Sequence, residues 1–310
     1  MEYVDYGGWK NNVLLANDHA EVIVTLDVGP RVISYRTPRS RNVFKNYAPQ
    51  IGGANEAIWQ IRGGHRFWLA PEDPVLTYIP DNSKVEHTIV SPNEARFVTG
   101  GSELVPIEKT LSLALDPNTS RVTVNHHAKN QGVKPITLAT WALSVMAPGG
   151  TEIIPLPPLG SHPRDLLPTR RMIVWPFTDM SDSRWRWGQK FITLKSGDGP
   201  PAKLGLNHTE GWVAYHLDDQ LFVKTIPFRG EDVYADLGCN FETFTNDEML
   251  EVESLGPLVT LEPGESTSHA EHWFLFDGVG SLPNGASEEA LADWVEPFAS
   301  RVRNYAPRRT

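Results

Sequence analysis

The sequence predicts an all-β protein built as an antiparallel sandwich, and three observations lead to that prediction. Short stretches in which apolar and polar residues alternate recur along the chain, as expected of strands with one buried face. Turn residues separate these stretches at intervals of roughly 8–12 residues, which is typical of antiparallel sandwiches. The chain also holds 25 Pro and 25 Gly, which interrupt helices and favour tight turns.

The elements follow one another through the whole chain, and we predict a single sandwich domain over residues 1–310. The predicted strands are Glu21–Leu26, Arg31–Arg36, Lys84–Ser91, Ala95–Thr99, Ile107–Leu115, Arg121–Lys129, Ile136–Val145, Lys190–Lys195, Trp212–Leu217, Leu221–Ile226, Met249–Ser254 and Ser268–Phe276. One helix is predicted over Ser287–Val302, with Ser287 as its N-cap and Pro297 causing a kink or an early end. The Pro-rich segment Ile154–Pro168 is predicted to be a long surface loop.

Composition and missing motifs exclude several classes of protein. The 310 residues carry a net charge of −10, which disfavours a nucleic-acid partner. No apolar run approaches the roughly 20 residues needed to cross a bilayer, so no membrane partner is expected. With one Cys, no zinc motif, no phosphate-binding loop and no dinucleotide fingerprint, neither a metal nor a cofactor is expected. The N-terminus lacks a secretory leader pattern, and a cytoplasmic location is the expectation.

The first candidate site lies in the segment 62–74, which we predict to be a loop. His65 offers a proton carrier, Arg66 a forked hydrogen-bond donor, Trp68 a stacking face and Glu72 an acceptor. The Gly-Gly pair before them lets the backbone approach a ligand closely. The alternative is a structural corner in which Arg66 pairs with Glu72 or with the neighbouring Asp73.

A second candidate site is the segment around Glu251 and Glu253. On a strand these two carboxylates face the same side, about 7 Å apart. Their mutual repulsion would raise one pKa, which suits general acid or base catalysis. Asn240 and Glu242, just upstream, are candidates for ligand contacts near the same groove. The alternative is a solvated outer face with two ordinary glutamates.

Three other features complete the candidates. His126 alternates with apolar residues, which indicates a histidine in the core or in a cleft. Arg171 and Trp175 belong to a basic and aromatic stretch, and Arg184–Trp187 forms another. Interleaved Arg and Trp can bind polyhydroxylated or anionic ligands, although they also occur as exposed loop residues.

The order of these features resembles the galactose mutarotase-like (aldose 1-epimerase) superfamily. The likeness covers most of the chain, from Glu21 to Phe276, and the segment Gly63–Glu72 is similar to an uncharacterised bacterial branch. The other similar segments are Asn12–Leu15, the strand pair around Gly29–Arg31, Val122–Asn130 with Pro135–Val145, and Leu261–Glu265 with His272–Phe274. The resemblance implies a large antiparallel β-supersandwich that binds sugars on a concave face, with a glutamate base and a histidine acid.

The resemblance also implies roles for individual residues. By position, the base falls on Glu253, with Glu251 as its neighbouring alternative, and Arg66 holds the sugar. Trp141 stands where the family's central histidine is expected, so His65 or His126 would supply the acid. Trp68 and Trp141 would give stacking faces.

The sequence therefore predicts a sugar epimerase that acts on a small sugar or oligosaccharide, as a monomer or homodimer. The basic stretches hint at an acidic sugar such as a uronate. Two alternatives remain open at this stage. One is a glycoside hydrolase or polysaccharide lyase that uses two of the four glutamates as acid and base. The other is a carbohydrate-binding protein without catalysis.

Overall fold

The computed structural model describes residues 1–82, 84–283 and 287–305, and these residues form two large antiparallel sheets and one helix. The strands are β1 (Glu2–Tyr6), β2 (Trp9–Ala16), β3 (Glu21–Thr25), β4 (Val32–Arg36), β5 (His65–Ala70), β6 (Glu86–Ser91), β7 (Glu94–Thr99), β8 (Ile107–Leu115), β9 (Val122–Asn130), β10 (Ile136–Met146), β11 (Thr151–Pro155), β12 (Met172–Val174), β13 (Trp185–Trp187), β14 (Phe191–Lys195), β15 (Ala202–Leu206), β16 (Trp212–Leu217), β17 (Gln220–Thr225), β18 (Phe241–Thr245), β19 (Leu250–Leu255), β20 (Val259–Leu261) and β21 (Ser266–Asp277). The helix is α1 (Glu288–Arg303).

The two sheets pack face to face. The front sheet has the strand order β1-β2-β3-β4-β5-β10-β19-β18-β15-β12, and β20 pairs with β10. The back sheet has the order β13-β14-β11-β16-β17-β21-β9-β8-β7-β6. Many strands that follow one another along the chain are also neighbours in a sheet. By contrast, β10 lies between β5 and β19, so distant segments meet at the centre of the front sheet.

The core between the sheets explains why the strands alternate. Apolar side chains of both sheets point inward and are buried, among them Val22 and Val252 of the front sheet and Leu111 of the back sheet. Tyr35 and Trp273 add aromatic contacts across the interface. Burial of this apolar surface is the main force that holds the sandwich together. The predicted all-β sandwich is confirmed.

The segment predicted as a loop over 62–74 contains β5, a central strand of the front sheet. Sequence alternation did not reveal it because both of its faces are covered, so polar and apolar residues alike are buried. Gly63 and Gly64 precede the strand with φ of 93° and 73°. A Cβ on Gly64 would lie 2.5 Å from the carbonyl oxygen of Val32, so glycine is needed for β4 and β5 to approach each other.

Helix α1 covers the outside of the back sheet. The hydroxyl of Ser287 accepts a hydrogen bond from the Ala290 amide at 3.3 Å, which confirms the predicted N-cap. Val295, Ala299 and Val302 pack on the sheet. Pro297 lies inside the helix, which continues to Arg303, so the early end considered from the sequence is wrong.

The surface loop predicted over Ile154–Pro168 is found in part. Its first two residues belong to β11 and residues 154–157 are buried, so the predicted start is wrong, whereas residues 158–169 are exposed and no strand or helix occurs before β12. Among the described residues, no helix combines the length and apolar character required to traverse a bilayer.

Candidate functional site

A cleft of about 300 Å³ lies on the outer face of the front sheet, opposite the core. Side chains from neighbouring strands line its floor because alternate residues of a strand point to the same face. These are Arg66 and Trp68 of β5, Trp141 and Leu143 of β10, Glu251 and Glu253 of β19, and Lys203 of β15. The loops add Trp59, Glu72, Tyr78 and Trp175.

Aromatic rings form one continuous wall of the cleft. The ring centroids of Trp59 and Trp68 are 4.9 Å apart, and those of Trp68 and Trp141 are 5.6 Å apart. Tyr78 lies against both Trp59 and Trp68, and its hydroxyl donates to Glu72 at the exposed rim. Flat apolar faces beside polar groups are what the C–H faces of a sugar ring would stack on.

Arg66 and Glu251 form a buried ion pair in the cleft. Nη1 of Arg66 donates to Oε1 of Glu251 at 2.6 Å, and both side chains are nearly inaccessible. The guanidinium also lies 4.1 Å from the ring centroid of Trp68 and 5.4 Å from that of Trp59. This pairing fixes the Arg66 fork against the aromatic wall and differs from the partners considered in the sequence analysis, Glu72 and Asp73.

Lys203 links two other carboxylates. Its ammonium lies 2.7 Å from Oε2 of Glu242 and 3.4 Å from Oε2 of Glu253, between the rings of Trp141 and Trp175. Trp141 donates from Nε1 to the same Glu253 oxygen at 2.8 Å. One oxygen of Glu253 is therefore held by two donors.

Burial and neighbouring charges set the protonation of this group. Desolvation raises the pKa of Glu253, and it raises that of Glu242 to about 8, although Lys203 opposes the shift in both. Burial works against the charge of Lys203, but Glu253 and Glu242 together raise the pKa of this lysine, so it stays an ammonium. The site thus holds a fixed cation beside carboxyls that are poised to exchange protons.

Three buried polar atoms of the cleft residues have no hydrogen-bond partner among the described residues. They are Oε1 of Glu253, Nε of Arg66 and Nε1 of Trp59. A buried acceptor or donor without a partner costs free energy, on the order of 1–3 kcal/mol each. One acceptor and two donors around an aromatic cleft match the hydroxyl groups of a polyhydroxylated ligand.

The structure corrects the expected location of His65 and His126. Because His65 is next to Arg66 on a strand, its side chain points to the opposite face, between the sheets, where it is 0% exposed. His126 reaches the same place from β9 of the back sheet and is also 0% exposed. Neither histidine lines the cleft.

These histidines belong to a polar network that joins the two sheets. Nδ1 of His126 donates to the His269 carbonyl at 3.1 Å, so its Nε2 accepts from Nε2 of His65 at 2.8 Å. Nδ1 of His65 then accepts from the Ser144 hydroxyl at 2.9 Å. Burial holds the pKa of each imidazole low, near 3 for His126 and His269, so all three are neutral.

A buried ion pair completes this inter-sheet network. Lys224 lies 2.6 Å from Oε1 of Glu271, whose other oxygen accepts from Nε1 of Trp273 at 2.8 Å. The ligand atoms of His65, His126 and Glu271 lie within 4.8 Å of one another, a spacing that suits a metal ion. The ammonium already neutralises Glu271, and a divalent cation would be repelled there, so the geometry favours a hydrogen-bonded network.

The remaining sequence candidates fall in different places. Asn240 is buried and holds the backbone of His208 and Pro227 together, and Glu242 lies behind the cleft on Lys203. Trp175 lines the cleft, and Glu72 stands at its rim. Arg171 lies outside the cleft, next to the Leu237 carbonyl. Arg184 is likewise absent from the cleft lining and is paired with Asp182.

Sequence reasoning missed Trp59, Tyr78 and Lys203. Trp59 and Tyr78 are on irregular segments, whose fold no alternation pattern predicts. Lys203 did leave a signal, since it stands alone in the apolar run Ala202–Leu206, where a lysine needs a partner.

Comparisons with known proteins identify the fold. No protein-family model matches the chain, and no curated protein sequence matches it. Solved structures do match the chain. One is a galactose mutarotase-like protein from Lactobacillus casei, which is 9% identical and has a TM-score of 0.56; the match covers 86% of this chain and 100% of that protein. A putative aldose 1-epimerase from Klebsiella pneumoniae is 11% identical and has a TM-score of 0.57; the match covers 99% of this chain and 88% of that protein.

A protein from a Synechocystis species, 11% identical, matches with a TM-score of 0.58 over 89% of this chain and 100% of its own. At such low identity the likeness shows the fold alone. The protein has the galactose mutarotase-like fold, a two-sheet β-supersandwich, with an aromatic, carboxylate-rich cleft on its front sheet.

Proposed function

We propose that the protein is a sugar isomerase that interconverts the anomers of a free aldose in the front-sheet cleft. One observation carries the proposal: Glu253 presents a buried, unpartnered Oε1 beside an aromatic wall, while Trp141 and Lys203 hold its other oxygen. A ring with hydroxyl groups satisfies the free polar atoms and stacks on the indoles. The fold shared with aldose 1-epimerase-like structures supports the same substrate class.

In this proposal Glu253 is the base. It removes the proton from the anomeric hydroxyl, the bond between the anomeric carbon and the ring oxygen breaks, and the sugar opens to its aldehyde. The raised pKa of Glu253 makes it a stronger base than a solvated carboxylate. Reclosure on the other face of the carbonyl returns the proton from Glu253 to the anomeric oxygen.

Lys203 stabilises the leaving ring oxygen in the proposed reaction. No histidine among the described residues lines the cleft, and the ammonium of Lys203 is the cation closest to Glu253. It donates a hydrogen bond to the ring oxygen as that oxygen leaves, and its charge stabilises the alkoxide until the alkoxide attacks the other face of the aldehyde. Arg66, fixed by Glu251, would hold the ring hydroxyls from the aromatic side.

The test is anomer interconversion followed by polarimetry, with freshly dissolved single anomers of several neutral aldoses and one uronic acid. We expect wild-type catalysis of at least one sugar and a loss of about 100-fold or more for Glu253→Gln. Glu265→Gln, on an exposed turn, is the matched control and should keep wild-type rates. A wild-type protein that accelerates no sugar, or an unchanged Glu253→Gln variant, contradicts the proposal.

The absence of a histidine among the described cleft residues also favours a second candidate, a carbohydrate-binding protein. It uses the same aromatic wall and the same unpartnered polar atoms without turnover. Calorimetric titration together with polarimetry distinguishes the isomerase from the binding protein. If a sugar binds but its anomers exchange no faster with the protein than without it, the second candidate is supported.

A further inference from the structure

A second and larger cavity, of about 520 Å³, opens on the other side of β5, between the ends of the two sheets. Phe67 and Leu69 face it, while Arg66 and Trp68 of the same strand face the cleft. Its walls combine apolar side chains with polar and charged ones, and Asp73, Asp81 and Glu86 are among the charged residues. The apolar lining includes Phe67, Leu69, Val105, Ile107, Leu111 and Leu138.

Lys109 interrupts the apolar lining. On β8 it belongs to the inward-facing row with Ile107, Leu111 and Leu113, which are buried and apolar. Its ammonium makes one long hydrogen bond, 3.4 Å to the carbonyl of Phe67. Lys109 is partly shielded from water. A lysine in such a position without a close acceptor is costly, because the charge loses part of its hydration and gains little in return.

No carboxylate of the described residues forms an ion pair with Lys109. Asp81, which also lines the cavity, is paired with Arg31 at 2.8 Å. Burial therefore lowers the pKa of Lys109, and Arg31 adds to that effect while Asp81 only partly offsets it. An anion bound beside the ammonium would remove this penalty.

Thr99 supplies a second polar group at the same point. It is the direct cross-strand partner of Lys109 in the pairing of β7 with β8, and it faces the cavity. Its hydroxyl oxygen is buried and has no hydrogen-bond partner among the described residues. Directly opposed residues of an antiparallel pair have side chains close enough to contact one ligand atom. Lys109 and Thr99 are thus two donors on neighbouring strands, beside the apolar part of the cavity lining.

We propose that this cavity binds a small amphipathic carboxylate, with its head group on Lys109 and Thr99 and its apolar body along Phe67 and Leu138. Ligand sites of this size are commonly apolar with a few polar groups that fix orientation. Lys109 and Thr99 do not line the sugar cleft, so this site does not depend on the proposed isomerase activity.

The experiment compares decanoate with decanol by calorimetric titration of the wild-type protein. The two ligands share the apolar chain and differ in the charge of the head. Hydrogen bonds to charged groups contribute more free energy than hydrogen bonds between neutral groups, so decanoate should bind about tenfold or more tightly than decanol. Equal affinities, or no binding of decanoate at millimolar concentration, overturn the proposal.

Two variants locate the ligand. Lys109→Met should abolish the preference for decanoate while decanol still binds, and the control Lys129→Met, on an exposed position of β9, should leave the preference intact. Val105→Trp, whose larger side chain narrows the cavity, should weaken the binding of both ligands. If Lys109→Met is poorly folded, Thr99→Val gives the same comparison with a nearly isosteric change. Unchanged decanoate binding in Val105→Trp or in both head-group variants would place the ligand elsewhere and overturn the proposal.

Discussion

At the scale of single residues, the front-sheet cleft is organised by charges that are almost fully withdrawn from water. Arg66 and Glu251 are paired at 2.6 Å, and their side chains are 4% and 6% exposed. In such a place the attraction between partners offsets desolvation only while both are present. Removing one partner leaves the other charge buried and unpaired.

Arg66→Met should therefore lower the free energy of unfolding by about 3–5 kcal/mol. Chemical denaturation of the single variant and of the double variant Arg66→Met/Glu251→Met measures this. The double variant should recover much of the loss, because no charge is then left alone. As a control, Arg303→Met removes a half-exposed pair with Glu296 and should cost no more than about 1 kcal/mol. A double variant as unstable as the single one would show that the ion pair is not the cause.

At the scale of an element, β5 decides which side chains meet. Its single-residue alternation sends Arg66 and Trp68 to the cleft and His65 and Phe67 to the interior. The sequence analysis named His65, Arg66 and Trp68 as candidates, but their distribution between the two faces depends on β5 being a strand. Gly63 and Gly64 allow the chain to enter β5, because both have positive φ and both lie so close to backbone atoms that a side chain would not fit.

Gly64→Ala should lower the free energy of unfolding by at least about 2 kcal/mol, from backbone strain and from the clash with Val32. Gly100→Ala is the matched control, because no atom lies within 4 Å of the position of its added Cβ, and it should stay within about 0.5 kcal/mol of wild type. Urea unfolding curves compare the two variants. Equal stability of both would refute the requirement for glycine before β5.

At the scale of the whole molecule, the inter-sheet network connects the two sheets through neutral histidines. The pKa of His126 and that of His269 lie near 3, and that of His65 is also lowered, whereas in the unfolded chain each is near 6.5. Between these values the unfolded chain binds more protons than the folded protein. The stability that these histidines contribute is complete above about pH 6.5 and is lost as the pH falls toward 3.

Two buried carboxyls give stability the opposite dependence on pH. Burial raises the pKa of Glu152 and of Glu242 to about 8, so their contribution is complete below about pH 4.5 and is lost as the pH rises toward 8. A pH profile of the wild-type unfolding free energy combines the histidine and carboxyl contributions. A variant that lacks one histidine isolates the contribution of that histidine.

His126→Gln should reduce the slope of stability against pH between 4.5 and 6.5 by about 1.1 kcal/mol per pH unit on average relative to wild type. Denaturation at several pH values measures it, with the exposed loop variant His162→Gln as the control that keeps the wild-type slope. Identical slopes for wild type and His126→Gln would show that His126 is not held neutral by burial.

Much of this architecture could be predicted from the sequence because alternation and turns are local signals. The hairpins over 107–130 and 212–226 and the paired carboxylates of β19 are of that kind. Strands covered on both faces, such as β5 and β15, give no alternation and were missed. The partners of Lys203, Arg66 and Lys109 were missed as well, because each contact joins strands that are distant along the chain.

The most direct measurement of the central claim is a crystal structure of the protein with a free aldose. The proposal predicts a sugar ring against Trp68 and Trp141, with its anomeric oxygen at hydrogen-bond distance, about 2.6–3.2 Å, from Oε1 of Glu253. The ring oxygen should face Lys203. A sugar bound elsewhere, or bound in the cleft with its anomeric carbon turned away from Glu253, would contradict the claim.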